Sequence, residues 1–82
     1  MPAPQQNSQH WKTRLHNLTR GNGWPDATPE YYQGGNSSRP VWLCIIRYQG
    51  AECGRGEAQA KALAYELAAE RAYYEFRRMM GQ

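Results

Sequence analysis

Apolar residues fall at helical spacing in two stretches of this chain and alternate in a third. Between Gln9 and Arg20, Trp11, Leu15 and Leu18 recur along one side, with Lys12, Arg14, His16 and Arg20 on the other. This predicts a short amphipathic helix. It ends at Gly21-Asn22-Gly23, which tolerate positive φ, and Trp24-Pro25 opposes its continuation, so a loop runs on to about Pro29. Tyr31 and Tyr32 start a short edge strand, which Gly34-Gly35-Asn36-Ser37-Ser38 cuts off and turns into a flexible loop.

Val41 to Tyr48 is the clearest strand. Trp42, Cys44, Ile46 and Tyr48 alternate onto one face, and Val41, Leu43, Ile45 and Arg47 onto the other. Gln49-Gly50 suits a two-residue turn, after which Ala51 to Arg55 returns antiparallel, pairing Tyr48 with Ala51 and Ile46 with Cys53. Beyond Gly54-Arg55-Gly56, the stretch from Glu57 to Met79 lacks Gly and Pro and is rich in alanine, which predicts a long helix. Ala60, Ala64, Ala68, Ala72 and Phe76 recur every four residues, a stripe small enough to let that helix lie close to a sheet. The predicted architecture is α+β in the order α-β-β-β-α, a three-stranded antiparallel sheet with two helices packed on one face.

A chain of 82 residues has room for one such module and one modest core. The expected division is a flexible tail over 1–9, the module over 10–79 and a tail over 80–82. The net charge of +3 permits a polyanionic partner without requiring one. Met1 to His10 is polar with two prolines, so it reads as neither a signal peptide nor a membrane span, and an intracellular location, cytoplasmic or nuclear, is expected.

Catalytic and metal chemistry find little support. Glu66 and Glu70 lie four apart on the long helix, but nothing in the sequence buries them or supplies a nucleophile, so they read as a solvated face. His10 and His16 accompany Cys44 and Cys53 without metal-ligand spacing, and no metal or other cofactor is expected. The predicted hairpin sets the two cysteines diagonally, roughly 7 Å apart, too far for an unstrained disulfide, so both are expected reduced and half-buried.

Gly54-Arg55-Gly56-Glu57-Ala58-Gln59-Ala60-Lys61-Ala62-Leu63-Ala64-Tyr65, followed by Ala68-Ala69-Glu70-Arg71-Ala72, resembles the double-stranded-RNA-binding domain family over roughly Trp11 to Phe76. A dinucleotide-binding turn at Gly54-Arg55-Gly56 is a poor alternative, because the preceding strand belongs to a hairpin and no parallel βαβ unit fits the remaining length. The resemblance implies a non-catalytic module that grips A-form RNA by three surfaces. The first helix and the loop between the first two strands reach successive minor grooves, and the N-terminus of the second helix meets the phosphates between them.

Carried onto this sequence, the resemblance assigns RNA contact to Asn17, Arg20, Ser38, Arg39 and Lys61. Lys61 matches the first of three family lysines, whereas Ala62 and Tyr65 stand where the other two would be. Asn17 replaces the usual Glu and Ser38 the usual minor-groove His. Each missing phosphate contact lowers the salt slope by about one unit, so weak binding is expected.

The missing lysines also support a rival reading: a degenerate member without RNA binding, acting as a protein-interaction or self-association module. Val41, Leu43 and Ile45 would form its exposed apolar stripe on the open sheet face, with the third-strand edge as a second docking element. Lys61 itself could equally be a solvated charge paired with Glu57 one turn earlier.

Overall fold

The computed structural model of this chain describes residues 10–81. The tail expected over 1–9, the expected helix start at Gln9 and the final Gln82 lie outside them. The elements are α1 (Trp11–Gly21), β1 (Thr28–Gly35), β2 (Pro40–Tyr48), β3 (Ala51–Ala58) and α2 (Lys61–Met79). The strands form one antiparallel sheet in the order β1-β2-β3. The expected α-β-β-β-α class is therefore observed.

The core lies between the helices and one sheet face. Trp11 and Leu15 of α1, Cys44 and Ile46 of β2, and Ala64, Ala68, Ala69, Ala72 and Phe76 of α2 are buried together. Ala60, expected on the same stripe, is the exposed residue preceding α2.

Two sets of element boundaries and one strand register differ from the sequence reading, each for a physical reason. β1 is not short: it pairs with β2 from Thr28↔Arg47 through Gly35↔Pro40. Pro29 is tolerated because β1 is an edge strand, and Gly34 and Gly35 extend the ladder rather than breaking it. β3 continues through both glycines to Ala58, and α2 begins only at Lys61. The glycines lie under the helix: an added Cβ at Gly54 would stand 2.6 Å from the Ala68 oxygen and the Ala72 nitrogen, and one at Gly56 would stand 2.6 Å from the Ala68 nitrogen. They mark a contact between elements, not the end of one.

The third difference is in register. The Gln49-Gly50 turn forms with positive φ at both residues, 52° and 86°, and Tyr48 pairs with Ala51 as expected. A β-bulge between Ile46 and Arg47 then shifts the ladder, so Ile46 pairs with Gly54 rather than Cys53. The Cys53 thiol donates instead to the Ile46 carbonyl at 3.5 Å. Both cysteines are free, and burial pushes each thiol up to about 11.

α1 has no local side-chain cap at its N-terminus. His10, which precedes it, makes no side-chain capping bond. The carboxylate of Glu66 on α2 fills that role, accepting from the amide nitrogens of Trp11 at 2.7 Å and Lys12 at 3.0 Å. This corrects the reading of Glu66 as a solvated charge. Substituting Glu66→Ala is expected to lower stability by about 1 kcal/mol, the usual worth of an N-cap. Chemical denaturation checks it, and an unchanged midpoint would mean the cap contributes nothing.

Candidate nucleic-acid interface

Lys61 is the first residue of α2, and no side chain caps that helix start. Its ammonium sits 4.5 Å from the ring centroid of Tyr31 on β1 and 5.3 Å from that of Trp42 on β2. The register explains the meeting. Tyr31↔Cys44 and Gln33↔Trp42 put both rings on the helix-facing side, and Trp42↔Ala58 brings the chain entering α2 beside them. The pairing with Glu57 considered from the sequence does not form, because Glu57 belongs to β3. Among the described residues Lys61 has no carboxylate partner.

The aromatic contacts continue toward α1. Tyr31 meets Tyr65 edge-on, with ring centroids 6.1 Å apart, and the Lys12 ammonium lies 5.2 Å from the centroid of the Tyr65 ring. Burial raises the phenol pKa of both tyrosines above the ordinary value, so each ring stays neutral. Two lysines from different helices thus flank one pair of rings. The sequence reading passed over Lys12.

Ser38 and Arg39 lie at the tip joining β1 to β2, both exposed. The tip is a pinned hairpin rather than the expected flexible loop. Asn36 and Arg39 exchange backbone hydrogen bonds at 3.3 and 3.1 Å, and the Asn36 side-chain oxygen accepts from the amides of Ser38 and Arg39 at 3.0 and 2.8 Å. Because Gly35↔Pro40 and Trp42↔Ala58 are near neighbours in the ladder, this tip stands at the same end of the sheet as the start of α2.

Asn17 and Arg20 are exposed on α1, on the side turned away from Trp11, Leu15 and Thr19. Arg20 Nη1 lies 3.2 Å from His16 Nε2, and His16 Nδ1 lies 3.6 Å from an Asp26 carboxylate oxygen. No hydrogen bond or ion pair among the described residues joins Asn17 or Arg20 to Lys61. The five sequence-derived positions therefore fall into three groups, of which the hairpin tip and the α2 start share one end of the sheet.

The open sheet face is less apolar than expected. Ile45 is 6% exposed, and Val41 and Leu43 are half-buried. Ile45 lies between its cross-strand neighbours Glu30 and Arg55, whose long side chains flank it. Arg47 donates to Glu30 at 2.9 Å and holds that carboxyl below the usual carboxylate range, while Arg55 pairs with Glu52 at 2.8 Å. A polar frame thus replaces the stripe read from the sequence. At the far end of the molecule, Met79 and Met80 join Trp24, Tyr48 and Phe76 around an apolar groove.

Among the described residues no three His, Cys, Asp or Glu side chains gather as a metal site, and no helix is long and apolar enough to cross a membrane. No curated protein matches the chain. A family model, the double-stranded RNA binding motif, matches residues 11–75. That match begins at the first residue of α1, takes in the whole sheet and ends in the last turns of α2, so the same order of elements, the glycine-bearing third strand and the Lys61 helix start all fall within it. The chain belongs to the double-stranded RNA-binding motif family.

Proposed function

We propose that this domain binds duplex RNA by shape and backbone charge, with Lys61 as the principal phosphate contact and the Ser38-Arg39 tip, Asn17 and Arg20 as flanking contacts. The observation that carries this reading is the setting of Lys61. Its ammonium has no carboxylate partner among the described residues, it is steadied over two rings, and it stands at an uncapped helix N-terminus where amide hydrogens and the helix dipole add positive potential. Phosphate recognition needs mobile or exposed cations near amide donors, and an A-form duplex is read mainly through its backbone and its shape.

Binding is weak in this reading. The net charge is only +3, and Ala62 and Tyr65 offer no cation of their own. The test is fluorescence anisotropy of a labelled RNA duplex of about 20 base pairs, longer than the roughly 16 that such a domain spans, with matched DNA and single-stranded competitors at two salt concentrations. Saturable binding that prefers duplex RNA and weakens with salt is the expected result. No binding at low salt would overturn the proposal.

In that event the second reading, docking of a protein or a second copy on the open sheet face or the third-strand edge, takes its place. Tyr32, 50% exposed beside the half-buried Leu43, favours it. The polar frame around Ile45 weighs against it.

A further inference from the structure

We infer that Lys12 is a second phosphate-contacting cation of this face, presented from α1 by the ring of Tyr65 on α2. This rests on the duplex-RNA reading above and extends it to a residue on another element. The Lys12 ammonium lies 5.2 Å from the centre of the Tyr65 ring. Tyr65 in turn meets Tyr31, whose ring carries the Lys61 ammonium at 4.5 Å. One pair of contacting rings thus holds a cation from each helix.

The electrostatics around Lys12 leave its charge available. The Glu66 carboxylate spends its two oxygens on the Trp11 and Lys12 amides at 2.7 and 3.0 Å and makes no ion pair with the Lys12 ammonium. Asp26, whose charge also reaches Tyr65, lies 3.6 Å from His16 Nδ1. Both phenols remain neutral, so no phenolate cancels either lysine. The ring contacts also narrow the conformations open to two long side chains, which reduces the entropy that binding must remove.

The competing account is that Lys12 only lays its aliphatic stem over Tyr65 as a cover. The two differ in a quantity that a cover does not change: the dependence of log K on log salt for duplex RNA. If Lys12 meets phosphate, Lys12→Gln lowers that slope by about one unit and Lys12→Arg restores it. Tyr65→Leu, which removes the ring but not the charge, weakens binding with the slope preserved, so Tyr65 acts as a positioning residue. A wild-type slope in Lys12→Gln, with or without a change in melting temperature, overturns the inference while leaving the duplex-RNA reading intact. A wild type that binds no duplex at low salt overturns both.

Discussion

Substituting Gly56→Ala is expected to destabilise the domain by about 1–3 kcal/mol, the usual cost of overpacking a tight contact. For a domain of this size that corresponds to a fall in melting temperature of roughly 5 to 20 °C. The added methyl would stand 2.6 Å from the Ala68 nitrogen, 2.7 Å from the Leu67 Cβ and 2.8 Å from the Ala64 oxygen. Two of those three atoms are helix backbone and the third is fixed to it, so none can swing aside, and α2 must move off β3 or the strand must bend.

Gly34 supplies the control. It also lies in a strand, but a Cβ there meets nothing within 4 Å, so Gly34→Ala should melt close to the wild type. Thermal denaturation of both variants separates a packing requirement from a general intolerance of alanine in strands. Equal melting temperatures for Gly56→Ala and wild type would mean that α2 does not approach β3 as closely as described. Because the seat of α2 also fixes Lys61 against Tyr31 and Trp42, duplex-RNA affinity should fall together with stability.

Lys61→Gln is expected to bring duplex-RNA binding to background at moderate salt and to reduce any residual salt slope by about one unit, while the melting temperature falls by only a few degrees. The separation follows from geometry. Lys61 is exposed and has no ion-pair partner among the described residues, and the cation–π contacts it loses are worth about 0.5–1 kcal/mol at an exposed site. Lys61→Arg keeps the charge and should retain most of the binding. Anisotropy titrations of the two variants decide it, and wild-type affinity in Lys61→Gln would remove this residue from the site.

How far the sequence reveals such a molecule depends on the range of the forces involved. Alternation over Val41 to Tyr48 and the alanine stripe of α2 report burial directly, and both reappear in the core. The glycines of β3 are ambiguous in one dimension. They look like punctuation between a strand and a helix, and only the packing of α2 against them reveals a close approach. The two glycines of β1 mislead in the same way, since an edge strand needs only backbone to continue its ladder.

Side-chain partnerships across elements were still less legible. That Glu66 caps α1, or that Lys12 reaches Tyr65, depends on the relative placement of two helices separated in sequence by all three strands, and no local pattern encodes it. Ile45 shows the same limit from another side. Alternation assigned its face correctly, but its burial depends on the long side chains opposite it on both neighbouring strands.

The Glu66 cap bears on how the domain opens. α1 packs chiefly on α2 and takes no place in the sheet, and the acceptor for its first two amides comes from 55 and 54 residues away. An 11-residue helix with no local side-chain cap at its N-terminus is marginal in isolation, so α1 depends on its docking to keep its shape. Undocking α1 would break the Glu66 cap and withdraw Trp11 and Leu15 from the core in the same event, so cap and core packing of this helix are lost together. The same docking therefore sets where Lys12, Asn17 and Arg20 stand relative to Lys61.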